Sequence, residues 1–312
     1  MSGAVFLVNP ASANGSTGRS WPEIAHRAAA AGLDGRALLS DGPGQLAGLA
    51  RDAASDGASL LVVVGGDGTV NEVVSGLLPL AAAGRPVPEL AILPRGTGKD
   101  FVRTFRIPAG LDEAIAVARD GEPRVVDGGR AECRSWAGEE LTAWFANIAS
   151  AGMSGAIARR ANDSSKALGG RVSFLAATLQ VFPRWRPDLM RLTVDGETYE
   201  ARMRDVVVGN CRYFGGGMKM CPDALPDDGL FDVVTIGEAT NLDLVLNMPK
   251  VYRGTHLPHP RSRVFRGAVV EVDADTPVPL ELDGETPGTT PARFTSIPGA
   301  LRVRAPRGAP LA

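Results

Sequence analysis

Over residues 1–124 the apolar positions come in short continuous runs, separated by stretches with helical spacing. The runs Ala4–Val8, Arg36–Leu39, Ser59–Val64 and Leu90–Leu93 predict strands. Unbroken apolar runs, rather than alternation, suit strands buried on both faces in a parallel sheet. Between them, helical spacing covers Trp21–Ala31, Gly44–Ser55 and Val70–Leu78, with a fourth helix at Leu111–Arg119 ended by Gly121. Ser20 and Glu23 form a capping box for the first of these, with Pro22 in its opening turn.

After Pro123 the pattern changes to alternating segments. Strands are predicted at Val125–Asp127, Ala143–Ser150, Leu189–Val194, Tyr199–Met203, Val206–Gly209, Phe231–Ile236, Val269–Val272 and Leu280–Leu282. Asp195-Gly196 has the chemistry of a two-residue hairpin turn. Helical spacing interrupts this region at Gly155–Leu168, Val172–Phe182 and Asn241–Tyr252. The expected fold class is therefore α/β, with an N-terminal parallel-sheet domain (1–124) followed by a mostly antiparallel β domain with helical insertions (125–297). In the remaining segment, 298–312, Leu301-Arg302-Val303-Arg304 is expected to return to the first domain as a last strand.

Composition narrows the function classes. The 312 residues are 44% hydrophobic and 22% charged with a net charge of −2, so no global field points to nucleic acid. No apolar run approaches the roughly 20 residues that span a bilayer, and the first strand begins too early for a secretory leader. Cys133, Cys211 and Cys221 are few and scattered, which suits a reducing compartment and gives no zinc pattern. A cytoplasmic protein is expected.

The chemistry lies in the turns after the parallel strands. Gly65-Gly66-Asp67-Gly68-Thr69-Val70-Asn71 joins a strand to a helix, and glycines at such a junction bring backbone N–H groups close to an anion. Asp67 would repel phosphate unless a cation or reacting hydroxyl lay beside it, so the loop points to phosphoryl chemistry. Asn9-Pro10 follows the first strand, and Pro94-Arg95-Gly96-Thr97-Gly98-Lys99-Asp100-Phe101 follows the fourth. The latter is not a P-loop, because Leu93 and Asp100 stand where that motif needs Gly and Ser/Thr. All three turns fall at the sheet edge where open α/β sheets bind ligands.

This order of motifs resembles the diacylglycerol kinase catalytic-domain family, which includes bacterial soluble diacylglycerol kinases and the sphingosine and ceramide kinases. The resemblance continues through Gly217-Met218-Lys219-Met220-Cys221-Pro222-Asp223-Ala224 and Asp227-Asp228-Gly229-Leu230, and ends at Leu282-Asp283-Gly284-Glu285. It implies an ATP-dependent lipid kinase acting on a hydroxyl such as that of diacylglycerol, with Mg²⁺. It also implies a lipid substrate and transient contact with the inner membrane surface. ATP binding is implied for Asn9, Pro10, Ser40, Gly65, Gly66, Asp67, Gly68, Thr69, Asn71, Gly96 and Thr97, and catalysis for Asp67 and for Glu285 as general base. A structural Mg²⁺ is implied at the Asp228 side chain and the Leu225 and Leu230 carbonyls. Two positions depart from the family pattern. Lys99 replaces the usual Asn, and Ser12-Ala13-Asn14-Gly15 replaces a Ser-Gly-Lys continuation, leaving Arg19 as the nearest basic residue.

Other readings stay open on the residues alone. Gly-Gly-Asp-Gly-Thr also occurs in NAD kinases, another small hydroxylated acceptor would use the same residues, and a non-catalytic nucleotide- or lipid-binding homologue would keep the fold. Asp283-Gly284 and Asp227-Asp228-Gly229 both read as ordinary turns, and Asp100 as a helix N-cap. Arg159, Arg160, Arg171, Arg184 and Arg186 with Trp185 suit either an anionic membrane surface or a solvated face.

Overall fold

The computed structural model describes residues 3–96, 98–163 and 170–311. It divides into two compact units, one formed by Met1–Asp127 with Gly299–Ala312 and the other by Gly128–Pro298.

In the first unit, β1 (Ala4–Val8), β2 (Gly35–Leu39), β3 (Leu60–Gly65) and β4 (Glu89–Pro94) form a parallel sheet in the order β4-β3-β1-β2. Every residue of β1 and β3 is buried, as continuous apolar runs require. Phe6, Val8, Val62, Val64, Ala91 and Leu93 pack with Ile24 and Ala28 of α1 (Ser16–Ala30) and with Ala114, Ile115 and Ala118 of α5 (Leu111–Asp120). The intervening positions Leu7, Leu61 and Val63 are equally buried. There α2 (Gln45–Ser55) packs on β1 and α3 (Asp67–Ala82) on β3. The two helices cross closely, since a Cβ on Gly76 would meet the Ala47 carbonyl oxygen at 2.2 Å. α4 (Asp100–Thr104) is a single turn after β4.

The first helix begins earlier than its sequence pattern predicts. α1 starts at Ser16, with Gly15 as its N-cap, so Ser20 and Glu23 make no capping box and Pro22 lies inside the helix. The preceding loop is bonded into its first turn: Gly15 N–H donates to Ala11 O (3.0 Å), Gly18 N–H to Pro10 O (3.1 Å), and the Ser12 and Thr17 hydroxyls lie 2.6 Å apart.

The second unit is antiparallel. Its main sheet runs β11 (Ser262–Gly267), β10 (Phe231–Gly237), β9 (Glu197–Gly209), β8 (Asp188–Val194), β12 (Val269–Ala274), β14 (Gly288–Ala305). The last part of β14 belongs to the first unit, where Val303 pairs with Leu90 in parallel. β7 (Ile148–Gly152) pairs with β9 and with β13 (Leu280–Leu282), and β6 (Glu140–Phe145) with β5 (Glu122–Ser135). Phe145, Phe231 and Phe294 are fully buried at the centre, with Phe145 5.5 Å from Phe231 and edge-on to Phe294. Among the described residues the helices of this unit are α6 (Met153–Asn162), α7 (Gly170–Val181) and α8 (Asn241–Arg253). The mixed fold, parallel at the N-terminus and antiparallel beyond, is the class the sequence predicts.

Two predicted boundaries shift for identifiable reasons. Ala143–Ser150 divides into β6 and β7 because the N–H groups of Ala146 and Asn147 turn away to a side-chain carboxylate. Tyr199–Met203 and Val206–Gly209 join into the single strand β9. Their apolar pattern is interrupted by Arg204 and Asp205, which are buried polar residues rather than a loop.

Candidate active site

The first unit brings most of the implied nucleotide residues to the C-terminal ends of its parallel strands. Asn9 follows β1, Ser40 follows β2, the Gly65–Asn71 segment ends β3 and opens α3, and Gly96 follows β4. Asn9 is the tie between them. Its N–H donates to Val64 O (3.1 Å), its Nδ2 to Thr69 Oγ1 (3.1 Å), and its Oδ1 accepts from Ala11 N–H (3.1 Å). Ser40 N–H donates to Val8 O at 2.9 Å. Pro10 packs on Gly18, where a Cβ would stand 3.0 Å from the Pro10 Cβ. Thr69 and Asn71 are buried, whereas the Cα of Gly68 faces open space. Thr97 lies outside the described residues.

Two glycines are required where the second and third loops meet. A Cβ on Gly66 would come 2.9 Å from the Gly96 Cα, and one on Gly96 2.5 Å from the Gly66 Cα. No side chain fits between two backbones at that distance.

Asp67 resolves the repulsion that its sequence position poses. Its mostly buried carboxylate accepts N–H groups from Lys99 (2.7 Å), Asp100 (3.1 Å) and Phe101 (3.4 Å). These are the orphan donors at the start of α4, so a residue 32 positions upstream in sequence caps that helix. Burial raises the Asp67 pKa and the three N–H bonds oppose the rise. Lys99, not Asp100, is the N-cap residue, in the left-handed region at φ 61°, and Asp100 is the first helical residue. Arg19 folds back over the first loop, its guanidinium 3.2 Å from where a Cβ on Gly15 would lie. The side chain thus returns a positive charge to a loop that lacks the usual lysine.

In the second unit Asp283-Gly284 is a tight turn with φ values of 50° and 94°. It is closed by Leu282 N–H to Glu285 O (2.8 Å) and Glu285 N–H to Leu282 O (2.9 Å). The turn is anchored far beyond what a hairpin needs. The Asp283 carboxylate accepts from Ala146 (2.9 Å), Asn147 (3.1 Å) and Ile148 (2.9 Å) N–H groups. Asn162 Nδ2 donates to Gly284 O at 3.1 Å from the end of α6. Asn210 Nδ2 donates to Ala146 O (2.8 Å) and Asn147 Nδ2 to Tyr213 O (2.9 Å), binding the same corner to the strand β9 terminus. Glu285 projects from this rigid turn as an exposed residue.

Two buried carboxyls behind the turn have no sequence signal beyond an acid in an apolar run. Glu281 accepts Gly284 N–H at 2.5 Å and bonds Ser150 Oγ at 3.0 Å. Burial pushes its pKa up to about 8, against the Gly284 bond and with help from the Asp283 charge. Asp205 caps the start of α6 through the Ser154 N–H (3.1 Å) and hydroxyl, and burial raises it to about 7. Both acids bind protons more tightly folded than unfolded, so they favour the fold at low pH and that stability is lost as pH rises from about 4 through 7–8. Melting temperature is accordingly expected to fall between pH 5 and pH 8. Glu281→Gln should make that fall shallower, by up to about 1.4 kcal/mol per pH unit. Parallel pH dependence of the two proteins in thermal melts would refute the assignment.

The implied metal loop tells against a cation. Asp228 Oδ1 accepts Leu230 N–H at 3.0 Å, and its other oxygen is paired with Arg266, which also reaches Asp232 at 3.4 Å. A divalent ion at Asp228 would have to displace this guanidinium, and the carbonyls of Leu225 and Leu230 add no second charge. Among the described residues no group of three or more acidic, His or Cys side chains is placed to hold a metal. Arg266 supplies the positive charge instead. Burial and the neighbouring Asp223 push Asp232 up to about 6, with Arg212 opposing. Chelator is therefore expected to leave the melting temperature unchanged. Arg266→Ala should lower it by a degree or two, corresponding to about 0.5–1 kcal/mol. A melting point that drops in chelator and recovers with Mg²⁺ would reverse this assignment.

The remaining candidates separate clearly. Cys133, Cys211 and Cys221 are buried thiols. Arg159 stacks on Trp136 with its guanidinium carbon 3.6 Å from the ring, and Arg160 bonds Gln180 at 2.8 Å, so neither is simply a solvated charge. No helix among the described residues is long and apolar enough to cross a membrane.

Known proteins resemble this chain over nearly its whole length. Residues 3–131 match the diacylglycerol kinase catalytic domain, and residues 147–305 the YegS C-terminal NAD kinase beta sandwich-like domain. A Staphylococcus carnosus protein named diacylglycerol kinase is 26% identical over 97% of this chain and 95% of its own length. A Staphylococcus aureus counterpart (strain MRSA252) is 27% identical over 97% and 92%. A solved Bacillus anthracis (strain Sterne) structure assigned as a diacylglycerol kinase superposes with a TM-score of 0.80 at 25% identity, covering 99% of both chains. Yeast NADH kinase shares the fold at a TM-score of 0.53 and 11% identity, covering 96% of this chain and 78% of its own. With one family pattern on each half and relatives spanning nearly its full length, the chain belongs to the diacylglycerol kinase catalytic-domain family.

Proposed function

We propose that this protein is an ATP-dependent lipid kinase that transfers the γ-phosphoryl group to a lipid hydroxyl such as that of diacylglycerol. The observation that carries the reading is the pair of glycine loops of the first unit, drawn together at Gly66 and Gly96 and locked by Asp67. Such loops offer backbone N–H groups and a helix N-terminus to a polyphosphate. The relatives' shared kinase name supports the same reading.

In the reaction the acceptor oxygen forms a bond to the γ-phosphorus while the bond to the β–γ bridging oxygen breaks, and ADP leaves. Phosphoryl transfer needs alignment and charge neutralisation more than covalent help. Asn9, Thr69 and the loop glycines hold the polyphosphate, with Ser40 and Asn71 around it. The exposed carboxylate of Glu285, carried on the turn that Asp283 anchors, accepts the proton of the lipid hydroxyl. Mg²⁺ bound to ATP would neutralise phosphate charge, and no residue of the Asp228 loop is assigned to it.

The test is transfer of labelled γ-phosphate from Mg-ATP to a panel of diacylglycerol, monoacylglycerol, sphingosine, ceramide, phosphatidylglycerol and NAD. A labelled lipid that disappears with Glu285→Ala supports the reading and names the acceptor. A labelled dinucleotide would replace it with NAD phosphorylation. ATP binding without any product would favour a non-catalytic homologue.

A further inference from the structure

The second unit carries apolar side chains where a water-facing helix should be polar. In α8 the positions Leu242, Val245, Leu246 and Pro249 recur at i, i+3, i+4 and i+7 and so share one face. That face is outward: Leu242 is 68% and Leu246 67% exposed. The opposite side of α8 is apolar as well, with Leu244 packed against Met153, Ile157 and Ala177 and Val251 against a separate buried cluster. In α7, Leu175 and Leu179 sit one turn apart and are 60% and 66% exposed, while Ala177 on the same helix is buried in that first cluster. The α7 exit and the α8 start are tied by Asn241 Nδ2 to Pro183 O at 3.3 Å. Exposed leucines of two helices therefore surround one satellite core.

The flanking charges decide what covers this face. Between Ser173 and Val181 α7 has no charged residue, and exposed Arg184 and Arg186 follow it. The α8 stripe runs out at Tyr252 and Arg253, with exposed Lys250 beside them. The acid of α8, Asp243, is engaged by His259 at 3.1 Å. Trp185 adds an aromatic body whose indole N–H is held by Arg204 O at 3.1 Å. Apolar side chains rimmed by Lys, Arg, Trp and Tyr match a bilayer interface with anionic headgroups. A second copy docking by two-fold symmetry would bring the same basic rim against itself.

We propose that the exposed faces of α7 and α8 form a docking surface for an anionic phospholipid bilayer, seating the leucines among the acyl chains and the basic rim at the headgroups. The assignment deepens the lipid-kinase reading but does not need turnover for its test. The experiment is flotation of the full chain, without nucleotide, with phosphatidylcholine vesicles with and without phosphatidylglycerol. Binding is expected only with the anionic lipid and should weaken with salt. The double variant Leu242→Asp, Leu246→Asp should lower vesicle partitioning about tenfold or more, and Lys250→Glu with Arg253→Glu should do likewise. Because these side chains are exposed, both variants should keep the wild-type melting curve and transfer phosphate normally to a short-chain, freely dissolved acceptor. Loss of that transfer in the wild type would bear on the kinase reading alone. Vesicle binding unchanged in both variants, binding equal on neutral vesicles, or a wild-type dimer that the leucine variant dissociates would overturn the docking surface.

Discussion

Asp67→Ala is expected to lower kcat/KM for phosphoryl transfer about a thousandfold or more, and to weaken the fold as well. The carboxylate receives three backbone N–H groups from residues 99–101, and Gly98 passes so close that a Cβ there would stand 2.4 Å from Asp67 Oδ2. Truncation orphans those donors and frees the loop after β4, at a cost of roughly 2–4 kcal/mol. Asp67→Asn separates the two contributions. It keeps one acceptor oxygen and nearly the same volume while removing the charge. If Asp67 acts only by holding the loop, the asparagine variant should recover much of the stability and a measurable fraction of turnover. If its charge bears on the transferring group, the variant should be as inactive as alanine despite its better melting temperature. Wild-type turnover in Asp67→Ala would remove the residue from the mechanism.

Glu285→Ala should reduce kcat by about 10²–10⁴ while leaving ATP affinity and melting temperature at wild-type values. The separation is sharp because the side chain is exposed and carries none of the turn's own bonds. Those belong to Asp283, whose carboxylate holds the Ala146–Ile148 corner, and to Glu281, which accepts the Gly284 N–H. Asp283→Ala would therefore lose activity and stability together and could not identify a base. Glu285→Gln should match alanine, since the amide cannot take the proton. Near-normal turnover in either Glu285 variant would disprove the assignment.

The first unit was readable because its strands are buried on both faces. Ala4–Val8 coincides with β1, and the glycine loops fall where the runs end. What local pattern could not convey are bonds between distant segments. Pro22 suggested a helix start, yet the bonded loop at 9–18 begins the helix six residues earlier, at Ser16. Asp100 has the chemistry of an N-cap, but Asp67 does that work from the neighbouring loop. Asp283 breaks Ala143–Ser150 into two strands from more than a hundred residues away. β11 and most of β14 went unread; Pro291, Pro298 and Gly299 lie within β14 and read as loop. Glu281 and Asp205 were equally invisible, since an acid in an apolar run looks like a solvent-facing strand position. The Asp-Asp-Gly turn is where family pattern and geometry part, because Arg266 lies far from it in sequence.

The first unit takes its sheet from both sides of the second, since residues 299–305 of β14 lie in it and Val303 pairs with β4. On the ribosome this splits the order of completion from the order of synthesis. β1 to β4 emerge first, yet the β4 edge lacks its neighbour until everything between Asp127 and Gly299 has been made. At about 5–20 residues per second that is a wait of roughly 10–30 s. During it, an apolar parallel strand with unpaired backbone groups is available to other nascent chains. The unit housing the glycine loops is thus the last to be finished, and a chain stalled or nicked before residue 299 should be a substrate for chaperones rather than a half-folded survivor.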